Sequence, residues 1–492
     1  MASYDRGDDD VRSRDADGAR WSRRAPLANG VGLVDHRAAI NISEPTVTPT
    51  SIPRAALAAL VILAALAPVR AAVAADAATI APVPRREREA LFRSIDAAAP
   101  QSVALLEELV NLNSGTFNVA GVRQVGERLQ REFQALGFTT RWVSMDAVGR
   151  APHLVAERRG RKGRRLLLIG HMDTVFEPFS PFRSLVRNGE RATGPGVYDM
   201  KGGLVVMIEA LKALHAQRAL DDRTITVFIT ADEEFSGEPT SVSRAEFIEA
   251  GKRADASLCF ESAISIDGRD YGSTARRGST DWRLEVEGTA AHSSGVFRPD
   301  VGDGAIFEIA RIISRFHDEL REPNLTYHPG MIVGGGGAKL NANGTATATG
   351  RINIVAADAR AVGDIRALTP EQLERVKQKM QAIVAASLPK TRATITFNDL
   401  MPPMAPTPRN KVLLSQYSAQ SEAAGLGPVL ELDPMLRGAG DSAFVSPYVA
   451  TITGLGMVGT GSHTVNETAE LPSLQKQAKR AALLIRALTR KT

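Results

Sequence analysis

The sequence predicts an α/β protein whose larger domain holds a mixed, mainly parallel sheet, with a β-α-β-β-α-β (split βαβ) domain inserted into it. Three observations carry this prediction. Between about residues 87 and 276, short apolar runs that suit buried strands alternate with stretches of helical periodicity. After Arg276 the texture changes to alternating strands with one wet face, interleaved with two helices. From about Pro402 the chain returns to helix and Gly-rich loop, which places the second texture inside the first.

The elements follow in order. Residues 88–113 carry Leu105, Leu106, Leu109 and Val110 at helical spacing and read as one or two helices, and 122–136 as another. Residues 164–169 (RRLLLI) read as a buried strand ending in Gly-His. Residues 204–215 follow a Gly-Gly pair and read as helix. The β-branched run 224–230 (TITVFIT) suits a strand covered on both faces, and 256–260 is a further short strand. In the insert, 281–288 (DWRLEVEG) is a strand and 304–317 a helix. HPGMIVGGGG and GTATATGRINIV are two more strands, 370–386 is a helix with Thr369 as N-cap, and 392–398 (RATITFN) is the last strand. Helices at 410–424 and 473–488 flank the loop RGAGDSAF. The larger domain thus spans 87–276 and 400–492, and the insert 277–399.

The start of the chain reads differently. Residues 1–53 are polar and charged without hydrophobic period, which suits a disordered segment or a leader begun too far upstream. Residues 54–77 (RAALAALVILAALAPVRAAVAADA) combine an Arg, a short apolar run and a small-residue site, as a secretory signal peptide does. The expectation is export, to the periplasm or beyond. A membrane anchor and a plain Ala-rich helix are the alternatives, and without a signal the protein is cytoplasmic. Composition narrows the rest. The 492 residues carry 60 Lys+Arg against 55 Asp+Glu, a net charge of +5 with no basic stripe, which argues against nucleic acid as a partner. The one cysteine, Cys259, excludes an internal disulfide and a thiolate zinc cluster, so any metal is held by histidine and carboxylate.

The chemistry-bearing residues sit at the ends of the predicted strands or in Gly-rich loops. GHMDTVF gives His171 and Asp173, GPGVYDMKGG gives Asp199, ADEEFSG gives Glu233 and Glu234, CFESA gives Glu261, and GSHTVNE gives His463. In an open α/β sheet, ligands bind outside the carboxyl ends of the strands, so residues far apart in sequence converge there. Two imidazoles and several carboxylates suit Zn²⁺, with Co²⁺ or Mn²⁺ as substitutes. Two ions about 3.5–4 Å apart need a shared carboxylate and about two further ligands each. Asp199 serves as the bridge, His171 and Glu261 complete one ion, and Glu234 and His463 the other. Asp173 then orients His171 from behind. Glu233 is left beside the metals as the base for a water whose pKa they lower towards 7, and later as the acid for the leaving amine.

Together these five stretches resemble, in order and approximate spacing, the dinuclear-zinc amidohydrolases: the glutamate carboxypeptidases, acetylornithine deacetylase, succinyl-diaminopimelate desuccinylase and aminoacylase. The glutamate carboxypeptidase type is the nearest match. The resemblance covers residues 87–492. It implies a catalytic domain with two zinc ions, a ferredoxin-like lid that mediates a homodimer, and a cis peptide between Asp199 and Met200. It also implies that His292, in GTAAHSSG, polarises the scissile carbonyl, often from across the dimer, and that Arg351, in ATGRINI, binds the substrate carboxylate. Asn341, in KLNANG, matches a lid asparagine in a shortened turn, and Gly440, in RGAGDSAF, matches a loop near that carboxylate. The folate-cleaving members carry an extra arginine in the last lid strand, whereas this chain reads TFNDLMPPMAP there. The implied activity is metal-bound hydroxide attack on an amide (peptide) bond next to a free carboxylate, in a small peptide or an N-acyl amino acid. A deacylase of N-acyl amino acids is the alternative, and a non-catalytic binding protein on the same fold a third reading.

Overall fold

A computed structural model describes residues 80–341 and 344–490, all within one contact unit, Pro68–Thr492. The leader and the signal-like segment at 54–77 lie outside the described residues. Among those residues no helix is long and apolar enough to cross a membrane.

Chain order runs α1 (Arg85–Ala97), α2 (Ala99–Asn111), α3 (Val119–Ala135), β1 (Thr139–Val143), β2 (His153–Arg158), β3 (Lys162–His171), α4 (Lys201–Ala216), β4 (Arg223–Thr230), α5 (Ala245–Arg253) and β5 (Ala256–Cys259). The insert follows as β6 (Ser279–Glu287), α6 (Ala305–Glu319), β7 (Thr326–Gly335), β8 (Asp358–Arg366), α7 (Pro370–Ala385) and β9 (Arg392–Met401). The chain then returns through α8 (Pro408–Ala423), β10 (Thr451–Thr453) and α9 (Leu471–Thr489), with short strands and turns between.

The main sheet has the order β1-β2-β4-β3-β5-β10. β4, β3, β5 and β10 run parallel to one another, while β1 and β2 add an antiparallel edge. α4 shows why the parallel part needs cover. Its sequence, KGGLVVMIEALKALHA, is apolar nearly all round and is buried along almost its whole length, against β3, α1 and α9. The register places His171, at the end of β3, opposite Thr230, at the end of β4, and Ile169 opposite Cys259 in β5. Three neighbouring strands therefore deliver their following loops to one edge.

The insert is the β-α-β-β-α-β unit, with strand order β7-β8-β6-β9, all antiparallel, and its own core around Trp282, Phe316 and Met380. Thr369 caps α7 by accepting from Gln372 N at 3.1 Å. One expectation is corrected. GTATATGRINIV is not the third strand of this sheet. Ala346–Thr349 pairs with Gly337–Leu340, and Ile354–Val355 with Ala291–His292, as small appendages. The third strand is β8, DARAVGDIR, whose inward face is Ala359, Ala361, Gly363 and Ile365, three of them small. Gly363 is opposite Trp282, and a Cβ there would collide with the indole ring and with the His328 carbonyl. Small inward residues weaken the alternation that sequence reading depends on. The stretch 88–113 resolves into two helices, α1 and α2, and the short strands β1 and β2 and helix α5 were not foreseen.

Candidate metal centre and cleft

Asp173 organises the site. Buried after β3, its Oδ1 accepts from Glu233 N (3.0 Å), and its Oδ2 from Glu234 N (3.1 Å) and Thr116 Oγ1 (2.7 Å). It thereby pins the loop after β4 to the end of β3. Its Oδ1 also lies 3.4 Å from His171 Nδ1, which makes a further contact of 3.1 Å to the Asp173 carbonyl. That leaves His171 Nε2 facing the cleft, as expected of an imidazole oriented from behind.

Asp199 stands between two groups of donors. Its Oδ1 is 3.3 Å from His171 Nε2, and its Oδ2 is 3.4 Å from His463 Nε2. Glu261 Oε1 approaches His171 Nε2 at 3.6 Å, and Glu234 Oε2 approaches His463 Nε2 at 3.1 Å. The ligand atoms of His171, Asp199 and Glu261 all lie within 4.8 Å of one another, as do those of Asp199, Glu234 and His463. Two trios thus share Asp199, in the arrangement predicted, and the Asp199–Met200 peptide is cis. Glu234 Oε1 is buried without a hydrogen-bond partner, an acceptor left over where a cation would satisfy it. With no thiolate in the set, the donors fit Zn²⁺-type ions.

The electrostatics agree. Burial alone would lower the His171 pKa, but its hydrogen bonds to Asp173 and Asp199 outweigh it and hold the imidazole well above its usual value. Hydrogen bonds to Asp199 and Glu234 push His463 up to about 11. Partial burial would raise the pKa of Asp199, but hydrogen bonds from the two imidazoles hold it below the usual carboxylate range. Burial, then the charge of Asp199, pushes Glu234 up to about 7. Burial, with the charges of Glu261 and Glu234 added, raises Glu233 well above an ordinary glutamate, against the pull of His171. The clustered carboxylates thus lean on the two imidazoles for positive charge, which cations held by the two trios would supply instead. Glu233 belongs to neither trio.

Several neighbours were not legible in the sequence. Glu467 Oε1 accepts from Tyr198 N (2.8 Å) and Asp199 N (2.9 Å) and fixes the backbone of the bridging residue. Arg276 and Arg437 flank Glu261 Oε2 at 3.5 and 3.3 Å. Arg244 is fully buried, with Nη1 2.7 Å from Asp232 Oδ1 and Nε 2.8 Å from Asp441 Oδ1. Asp441 also accepts from Thr230 Oγ1 at 2.6 Å, so it braces the strand end and gives the Gly-rich loop no free carboxylate.

A cavity of about 610 Å³ opens over the trios. Its walls come from the loops that follow the main-sheet strands and from the insert, including Ser279, Asp281, Arg366 and Asn398. The substrate-side residues expected from the resemblance do not line it. His292 is exposed on the lid, with Nδ1 2.8 Å from Ser294 Oγ. Arg351 is exposed, and Asn341 Nδ2 donates to Thr345 Oγ1 at 2.9 Å. All three lie on or beside the lid's appended short strands, away from the chain's own cavity wall. Gly440 is also outside that wall, which Gly438 and Ala439 form instead. A Cβ at Gly440 would collide with the Arg276 guanidinium, so the glycine makes room for that arginine.

A family model described as peptidase family M20/M25/M40 matches residues 167–487. Among curated proteins, carboxypeptidase G2 of Pseudomonas sp. (strain RS-16) is 28% identical over 410 residues, covering 80% of this chain and 91% of that one. Succinyl-diaminopimelate desuccinylase of Magnetococcus marinus is 26% identical over 388 residues, covering 76% and 94%. Among solved structures, a tripeptidase from Staphylococcus aureus superposes with a TM-score of 0.61 at 20% identity, covering 79% of this chain and 98% of that one. A metallo-carboxypeptidase from Sulfolobus solfataricus does so with a TM-score of 0.59 at 17% identity, covering 79% and 99%. These two superpositions speak for the fold.

Proposed function

The chain belongs to peptidase family M20/M25/M40 and is a metallohydrolase, and from that premise we propose that it uses two zinc ions to cleave an amide bond next to a free carboxylate, as a carboxypeptidase does. The observation that carries this reading is the pair of donor trios sharing Asp199, with Glu233 beside both and part of neither. When bound by His171, Asp199, Glu261, Glu234 and His463, the ions supply Lewis acidity and bring the pKa of a water near neutrality.

The chain's own groups do the rest. Asp173 holds His171 and the backbone of Glu233 in place. The Glu233 carboxylate takes the proton of the attacking water and then gives it to the leaving amine. In this reading His292 polarises the carbonyl and Arg351 takes the carboxylate once lid movement or the lid of a second copy brings them over the cavity. Asn398, in the last lid strand, lines the cavity and donates to Glu238 at 3.1 Å. A neutral amide there, where the folate-cleaving members carry an arginine, argues against glutamate specificity in either reading, carboxypeptidase or the alternative deacylase of N-acyl amino acids. The signal-like segment adds the proposal of export. Fractionation of the source cells tests it, with mature protein lacking 54–77 outside the cytoplasm expected and intact protein inside contradicting it.

The activity is tested with full-length protein on a panel of dipeptides and N-acyl amino acids. Chelator-sensitive cleavage restored by zinc is expected, and the substrates cut decide between the two readings. Cleavage indifferent to chelator, or none in zinc-loaded protein, would overturn both.

A further inference from the structure

The loop that supplies Glu233 and Glu234 continues into an exposed phenylalanine. Phe235 lines the cavity, yet it is 56% exposed. Phe117, 55% exposed, packs beside it with ring centroids 5.1 Å apart. Arg150 lies against both rings, its guanidinium carbon 4.7 Å from the Phe117 centroid and 5.4 Å from that of Phe235. Its Nε donates to the Phe235 carbonyl at 2.9 Å and its Nη1 to the Gly149 carbonyl at 3.1 Å. The arginine is therefore engaged with the backbone, and the rings present an apolar surface.

Both rings are fixed relative to the chemistry by a single carboxylate. Phe235 follows Glu234, whose N–H is held by Asp173, and Phe117 follows Thr116, whose hydroxyl donates to the same Asp173. Two water-facing phenylalanines on loops this constrained forfeit hydrophobic stabilisation in the free protein and recover it when something apolar covers them. Continuity with the cavity names the occupant, because Phe235 is part of its wall. Charge decides which end of the substrate it is. The guanidinium groups on the cavity wall, Arg276, Arg366 and Arg437, come from the end of the first large-domain segment, strand β8 and the Gly-rich loop. They are held there by Glu261, Asp364 and backbone carbonyls, and this side of the wall, away from the phenylalanines, suits the carboxylate-bearing end.

We propose that Phe117 and Phe235, backed by Arg150, form the subsite for the acyl side of the substrate and select an aromatic or bulky apolar acyl group. This rests on the amide-hydrolase reading above. The test compares N-benzoyl and N-acetyl derivatives of one amino acid, measuring kcat/KM by turnover and affinity by calorimetry, for the full-length protein and for Phe117→Ala, Phe235→Ala and Phe235→Tyr.

The benzoyl derivative is expected to be the better substrate and the tighter ligand. Each alanine variant should lower its kcat/KM about 5- to 10-fold, the order expected for a lost aromatic contact. The acetyl derivative should change less than about twofold, and Phe235→Tyr should retain the preference. Thermal midpoints within the wild-type range exclude misfolding. No preference in turnover or in affinity, or equal losses on both derivatives, would overturn the subsite. A shift from dimer to monomer in the variants with discrimination intact would do so too, assigning the pair to a contact between copies. If neither derivative is cleaved, the affinities still decide on the subsite, while the missing turnover counts against the hydrolase reading alone.

Discussion

Asp232 and Glu233 are neighbours in one short stretch, both acidic and both buried, yet they meet different surroundings. Asp232 faces Arg244, which also reaches Asp441, so two carboxylates are sealed around one guanidinium. Glu233 and Glu234 have no guanidinium against them among the ion pairs of the described residues, and their nearest cations are imidazoles. A buried acid matched by the chain's own arginine braces the fold. A buried acid left among imidazoles and other acids needs a partner from outside, and that is what a binding site for cations consists of.

The contrast breaks first at Arg244. Arg244→Met strands Asp232 and Asp441 without a counter-charge, and a loss of about 3–5 kcal/mol in stability is expected from denaturant unfolding. Glu233→Gln works the other way. It should lower kcat about 10²- to 10⁴-fold, as loss of a general base does, without lowering the thermal midpoint, since it removes a repelled charge rather than a paired one. Steady-state kinetics beside a melting curve checks both halves.

Asp173 belongs to both regimes, because it holds backbone N–H groups and also orients a ligand. Asp173→Asn should weaken metal affinity about 10- to 100-fold in a competition with a chromogenic chelator, with a smaller loss of stability than Arg244→Met. The mildest case is Glu322 on the lid. Hydrogen bonds from Arg375, aided by Lys379 and Gln372, hold its pKa down to about 2. A depressed carboxylate stabilises the fold above its unfolded pKa of about 4.3 and loses that contribution as pH falls towards its folded value. Glu322→Gln should therefore cost about 0.5–1 kcal/mol at pH 6, and the difference from wild type should close between pH 4 and pH 2 in an unfolding series.

The trios were legible because their residues follow apolar strands or sit in Gly-rich loops, where chain topology leaves little choice of direction. His171, Asp199, Glu233, Glu234, Glu261 and His463 converge as their positions suggested. The arginines were not, because the partner of Asp232 lies twelve residues on in a helix-turn region, and nothing in SVSRAEF marks Arg244 as buried. Strand β8 escaped for a related reason: its inward face is small where Trp282 is large, and only the packed pair reveals the fit. His292, Arg351 and Asn341 were named from resemblance alone, and one chain by itself does not bring them to its own cavity.

The measurement that bears most directly on the central claim is the zinc content of the full-length protein after loading and dialysis, by elemental analysis, for wild type and His463→Ala. Two equivalents in the wild type and about one in the variant are predicted from two trios joined at Asp199. A wild type that retains no zinc, or a variant that still retains two equivalents, would contradict it.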